Sequence, residues 1–206
     1  MLEKMTFLSA AENRESFFKR ISLFLVPSDP RYQAIKRAYN CAKDAFRDIY
    51  REDGDRYFEH LRAVALILIV YLRVKDHCLI VAALLHDIVE DIPSWTIERV
   101  RDEFGDKVAF YVDLMTKPDI KDFSSKEEVD KVYHTRFSFA PREFFLLKLS
   151  DRLHNLITLW ACTPEKRARK IEETITYYLP YAEKHFILLH ELEEALALLK
   201  NNELTT

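Results

Sequence analysis

Apolar residues recur at spacings of three and four along almost the whole chain, and sustained alternation with period two is hard to find. The pattern predicts helices over residues 13–25, 31–51, 57–73, 76–91, 96–104, 106–116, 125–138, 142–162 and 165–199. The punctuation agrees. Gly105 follows "RDEF", where a helix C-cap is expected. Gly54 supplies the flexible position of the turn "EDGD" (52–55). Pro164 opens one helix, and Pro180 kinks or divides the last. The longest polar stretch, "TKPDIKDFSSKEE" (116–128), reads as a loop at the rim of whatever the helices enclose. No repeat, low-complexity tract or linker interrupts the pattern. A single all-α domain over residues 1–206 is expected, with the segment 186–200 packed on its own domain in preference to a partner.

Composition narrows this further. Only two glycines occur in 206 residues, which argues against a fold rich in tight hairpins. A hydrophobic fraction of 49% and a charged fraction of 32% belong to an ordinary soluble domain. The net charge of −3 gives no global attraction for nucleic acid or an anionic membrane, so neither DNA, RNA nor membrane is expected as a partner. A phosphate ligand would need a local positive site. Cys41, Cys78 and Cys162 are odd in number and widely spaced, without a Cys-x-x-Cys pair. They read as buried free thiols in a reducing cytosol, and a cytoplasmic location is expected. "ISLFLV" (21–26) is too short for a secretory core. "LRAVALILIVYL" (61–72) is too short to span a bilayer and carries Arg62. Oligomeric state is left open.

One stretch stands out chemically. "AALLHDIVED" (82–91) runs from apolar residues straight into His86, Asp87, Glu90 and Asp91. On a helix, His86 and Glu90 lie one turn apart, as do Asp87 and Asp91. Unpartnered buried carboxylates are costly, and a divalent cation removes that cost. Further ligands are available elsewhere. His60 shares a core-facing helical stripe with Val64 and Ile67, and Asp151 interrupts the apolar segment "FFLLKLSDRLHNLITLW" (144–160). His60, His86, Asp87 and Asp151 supply two imidazoles and two carboxylates. That balance suits Mn²⁺, Fe²⁺ or Zn²⁺ in a hydrolytic site. Taken singly, His60 reads as a hydrogen-bonded core histidine sooner than as a ligand, and Asp151 as an ion-pair partner of Arg152 or Lys148. The joint pattern raises the odds of a metal site.

The joint pattern resembles the HD superfamily of metal-dependent phosphohydrolases, and more closely the hydrolase domain of the RelA/SpoT family, which cleaves the alarmone ppGpp. The matching segments are "REDGDRYFEH" (51–60), "AALLHDIVED" (82–91), "TIERVRDEFGDKVA" (96–109), "TK" (116–117), "KLSDRLHNLITL" (148–159) and "ETITYYLPYAE" (173–183), over about residues 30–190. No room for a synthetase domain is seen, so the chain resembles the stand-alone small alarmone hydrolases. The resemblance implies a helical domain with its metal site in the core. It implies His60, His86, Asp87 and Asp151 as ligands of Mn²⁺, and Glu90 and Asp91 as the acids that orient and deprotonate water. It implies Arg51, Asn155, Thr158 and Tyr178 as nucleotide-binding positions, with Lys117 and Arg152 as candidates for phosphate or structural contacts. Leu61 stands where the family usually has Pro, Phe46 where its "AH-x-G-Q" segment has His, and Ser150 where Ala is usual.

The implied reaction is hydrolysis of the 3′-pyrophosphate of ppGpp or pppGpp, with a guanine nucleotide as the partner. Two alternatives stay open. One is an HD phosphohydrolase acting on another nucleotide, such as removal of the 2′-phosphate of NADPH. The other is a non-catalytic nucleotide-binding module.

Overall fold

The computed structural model describes residues 5–8 and 12–201. Among them every regular element is helical, and the only β-type pairing is an isolated antiparallel bridge between Tyr50 and Arg56. The centre of the molecule is α4 (His77–Leu85), whose sequence "HCLIVAALL" is apolar on every side. A helix of that kind must be covered all round. It packs against α2 (Pro30–Ala45), α3 (Tyr57–Leu66), α7 (Asp106–Met115) and α9 (Arg142–Ile157), and Leu79 through Leu85 are all buried. Each large side chain there contributes about 1.5–3 kcal/mol by leaving water. Asp76 caps the helix, accepting from the Cys78 N–H at 2.9 Å.

The remaining helices are α1 (Arg14–Ile21), α5 (Ile88–Asp91), α6 (Ile97–Phe104), α8 (Lys126–Thr135), α10 (Pro164–Glu173), α11 (Leu179–His185) and α12 (Leu189–Lys200). Several begin on a side-chain cap: Asn13 for α1, Thr96 for α6, Ser125 for α8 and Thr163 for α10. As expected, α12 packs on its own domain, against α9 and α11. No helix among the described residues is long and apolar enough to cross a membrane.

Several of the expected helices are shorter or broken: 13–25 is helical over Arg14–Ile21, 57–73 passes from α3 into a π turn at Ile67–Tyr71, and two further breaks build the site. The stretch 76–91 is interrupted at His86 and Asp87, where Asp87 takes φ −102° and ψ 0°. The stretch 31–51 stops at Ala45, so Arg51 lies on a turn closed by its N–H bond to the Asp55 carbonyl at 2.9 Å. The stretch 142–162 ends at Ile157, followed by a short 3₁₀ turn at Leu159–Ala161. The stretch 165–199 is three helices. A π turn at Thr174–Tyr178 carries the chain into Pro180, and the left-handed residues Phe186 (φ 55°) and Leu188 (φ 53°) end α11. Neither is a glycine, so the sequence carries no cap signal there. The three cysteines are free, but half-buried and not buried.

Gly105 closes α6 and opens α7 with φ 90° and ψ 167°, a region nearly closed to residues with a Cβ. Nothing lies within 4 Å of an added Cβ, so the cost of a side chain there is all backbone. Gly105→Ala should lower the unfolding free energy by about 1–3 kcal/mol in urea titration. Unchanged stability would show that the α6–α7 connection does not need this conformation.

Candidate active site

Because α4 ends inside the protein, the break after it presents two polar side chains to the interior. His86 is buried, and its Nδ1–H donates to the Ala83 carbonyl at 2.9 Å. Its Nε2 therefore faces the other donors. His60 on α3 is also buried, with Nε2 3.3 Å from His86 Nε2 and 3.3 Å from Asp151 Oδ1. Asp151 Oδ1, on α9, is 3.6 Å from His86 Nε2. One ligating atom from each of His60, His86 and Asp151 lies within 4.8 Å of the others. Asp87 adds Oδ2 at 3.1 Å from His86 Nε2 and 3.8 Å from His60 Nε2.

The charges explain what this arrangement needs. Burial alone would raise Asp151, yet the Lys148 ammonium and the hydrogen bonds from His60 and His86 hold it well below the usual carboxylate range. Lys148 Nζ is 3.0 Å from Asp151 Oδ2, and Asn155 Nδ2 donates to Oδ1 at 2.6 Å. Both partners sit about one turn away on α9. Burial lowers His60 to about 4, against the pull of its Asp151 bond, so this imidazole is neutral. Burial also opposes charge on His86, but the Asp87 charge and the bonds to Asp151 and Asp87 push it up to about 10. A proton on His86 Nε2 thus fills the role a divalent cation would fill between two carboxylates. Two imidazole nitrogens and two carboxylates are a borderline donor set, and they fit such a cation.

Each donor has an outer partner. His60 Nδ1 lies 2.9 Å from His154 Nδ1. For His60 to offer a bare Nε2, its Nδ1 must carry the proton and donate to His154. The Tyr57 hydroxyl donates to Asp87 Oδ2 at 2.7 Å.

The acids Glu90 and Asp91 lie on α5, at the solvent mouth of the cluster. Partial burial and then the Asp87 charge raise both above the usual carboxylate range. Glu90 adds its charge to Asp91, which reaches about 6. A carboxylate poised there can accept a proton near neutral pH. Glu90 Oε2 accepts from the Lys117 N–H at 3.2 Å, which ties the predicted rim loop to the site.

Arg51, Asn155 and Thr158 converge. Arg51 Nη2 donates to Asn155 Oδ1 at 3.1 Å and to Thr158 Oγ1 at 2.9 Å. All three line a cavity of about 520 Å³, within the range of small-molecule sites. Arg51, Arg152, Lys166 and Lys170 face it against one carboxylate, Glu52. This is the local positive site that a phosphate ligand requires. A larger cavity of about 790 Å³ also touches Arg51, His60 and Thr158, but its wall carries five cations against four carboxylates and has no such bias.

Tyr178 does not line the 520 Å³ cavity. It is buried, and the Arg152 guanidinium lies 3.9 Å above its ring. Arg152 pairs with Glu173 at 3.1 Å, leaving Lys148 as the partner of Asp151. Lys117 Nζ bonds Asp130 at 2.9 Å and lines a separate cavity of about 280 Å³. Tyr57 and His154 were not among the predicted site residues. Tyr57 lies three residues before His60 and His154 three after Asp151, so each shares a helix face with a predicted ligand. That spacing is the signal in the sequence that marks them.

Residues 38–187 match the HD domain family. A Haemophilus influenzae protein named guanosine-3′,5′-bis(diphosphate) 3′-pyrophosphohydrolase is 38% identical over 158 residues, covering 74% of this chain and 23% of that protein. The bifunctional (p)ppGpp synthase/hydrolase SpoT of Escherichia coli is 34% identical over 186 residues, covering 88% of this chain and 25% of SpoT. The chain thus spans about a quarter of the length of these curated relatives. A solved structure, described as a metazoan orthologue of SpoT that hydrolyses ppGpp, superposes with a TM-score of 0.66 at 24% identity, over 84% of this chain and 97% of that one, and shows the same fold. A helical core that gathers two histidines and two aspartates, together with the match over residues 38–187, makes this chain a member of the HD domain family.

Proposed function

We propose that this chain removes the 3′-pyrophosphate of guanosine 3′,5′-bis(diphosphate), as ppGpp or pppGpp, releasing pyrophosphate and GDP or GTP, with Mn²⁺ as its cation. The observation that carries this is the continuity along one face of α9. Asp151, Asn155 and Thr158 follow at helical spacing, so the donor set and the Arg51 trio are parts of one surface. The names of the Haemophilus influenzae and Escherichia coli relatives support the substrate class.

His60, His86, Asp87 and Asp151 would hold the cation. When bound, it supplies charge that lowers the pKa of water and offsets charge on phosphoryl oxygens. Glu90 and Asp91 take the proton of the attacking water at a carboxylate oxygen. Asp91, already raised, is suited to hold it, and the Lys117 N–H keeps Glu90 in place. Arg51 meets the nucleotide with a planar guanidinium able to stack on a base, and Asn155 and Thr158 hold that plane. Arg152, Lys166 and Lys170 add positive charge for the remaining phosphates. Water adds to the phosphorus next to the ribose, the bond to the 3′ oxygen breaks, that oxygen takes up a proton in place of the one the water gave to the acid pair, and GDP or GTP and pyrophosphate leave.

Incubated with Mn²⁺ and a panel of nucleotides, the protein should convert ppGpp to GDP and pyrophosphate, resolved by ion-exchange chromatography. Dephosphorylation of NADPH with ppGpp left intact would keep the HD chemistry and overturn the substrate. Tight binding of a nucleotide without turnover of any would overturn catalysis itself.

The acid pair should separate chemistry from binding. Glu90→Gln and Asp91→Asn should lower kcat by about 10²–10⁴-fold while Mn²⁺ content stays at the wild-type level by elemental analysis. Full turnover in both variants would place the base elsewhere.

A further inference from the structure

Of the four cation donors, Asp87 is the least secured. Asp151 keeps Lys148 and Asn155 as outer partners at 3.0 and 2.6 Å. His60 is backed by His154, and His86 by the Ala83 carbonyl. Asp87 Oδ2 has His86 Nε2 at 3.1 Å, His60 Nε2 at 3.8 Å and the Tyr57 hydroxyl at 2.7 Å. Two of these three are imidazole nitrogens that a cation would claim. A nitrogen whose lone pair binds a metal has no proton to donate. Tyr57 is then the one hydrogen-bond donor to this carboxylate oxygen among the described residues.

The hydroxyl is well placed for that task because the ring beneath it is fixed. Tyr57 lies face to face with fully buried Phe46, centroids 4.9 Å apart and planes 13° apart. Its edge meets His60 at 5.8 Å, and the Arg51 guanidinium lies 5.7 Å over the ring. The backbone is held by the Tyr57 N–H bond to the Ile49 carbonyl at 2.8 Å. Phe46, where the RelA/SpoT pattern has His, is therefore the bed of this ring. Tyr57 also lines the 520 Å³ cavity, so one side chain belongs to both the nucleotide wall and the cation centre.

We propose that Tyr57 is a positioning residue, whose hydroxyl fixes the Asp87 carboxylate in the orientation that binds the cation. The proposal rests on the cation site described under Proposed function. It assigns the ring and the hydroxyl separate tasks, and substitution can separate them. Phenylalanine keeps the stack on Phe46 and the wall of the cavity, and removes the hydroxyl that bonds Asp87 and also Asp91.

The test is a titration of the cation-stripped protein with Mn²⁺, without nucleotide, followed by electron paramagnetic resonance of the free ion. Tyr57→Phe should bind Mn²⁺ about 10- to 100-fold more weakly, the usual cost of losing an outer-sphere partner. Because the hydroxyl also bonds Asp91, the readout is the Mn²⁺ affinity measured without nucleotide, and not turnover. Unchanged Mn²⁺ affinity would overturn the proposal. So would a raised KM with unchanged Mn²⁺ affinity, which would give the hydroxyl to the nucleotide. Should Tyr57→Phe not fold, Phe46→Leu keeps the hydroxyl and removes its bed. It should weaken Mn²⁺ binding in the same direction, and unchanged affinity there would overturn the proposal equally. Wild-type protein that binds no Mn²⁺ would instead overturn the cation site itself.

Discussion

Asp87 and Asp151 press toward one interior space, and two carboxylates cannot share such a space unless positive charge lies between them. The molecule meets this demand in layers. Lys148, itself buried, neutralises Asp151 from behind. His60 stays neutral because the space around it is dry, whereas His86 carries a proton because both carboxylates face it. The C-terminal end of α4 points its partial negative charge into the same space, which adds to the demand for a cation. Removal of one acid or one base from this set leaves its partner buried and unpaired, which is costlier than losing the whole set.

The helix that carries Asp151 also divides the charge of the protein. Asp151, Asn155 and Thr158 line one side of α9, from the donor set toward Arg51. Arg152 turns away over Tyr178 to Glu173, where Lys170 also pairs, and it still lines the 520 Å³ cavity. The overall charge of −3 therefore says little about the ligand. The wall of the 520 Å³ cavity carries four cations and one carboxylate, so it is locally positive in a chain whose net charge is negative. Acids gather at the other end, where burial and then the Asp87 charge raise Glu90 and Asp91 above the usual carboxylate range.

Periodicity made the helical class legible, because nearly every segment has one apolar face and two glycines are too few for another architecture. The chemistry was legible because polar residues at core spacing have no cheap explanation. His60, His86, Asp87 and Asp151 do come together, as do Arg51, Asn155 and Thr158. The break at His86 and Asp87 was not legible. Nothing in "LLHDIV" is a helix breaker, and the chain departs from the helix by the backbone of Asp87 alone. The end of α11 escaped for a related reason, since Phe186 and Leu188 adopt left-handed backbone without a glycine to announce it. Tyr178, expected from the family resemblance, lines no part of the 520 Å³ cavity; it is buried under the Arg152 guanidinium, which does line it.

The central claim is that the buried convergence at the end of α4 binds a divalent cation, and anomalous diffraction from crystals grown with Mn²⁺ tests it directly. The expected result is one strong peak bounded by His60 Nε2, His86 Nε2, Asp151 and Asp87. The contradicting result is a peak at the second histidine-bearing cluster, Asp76, His77 and Cys78 at the opposite end of α4, with none among the four donors.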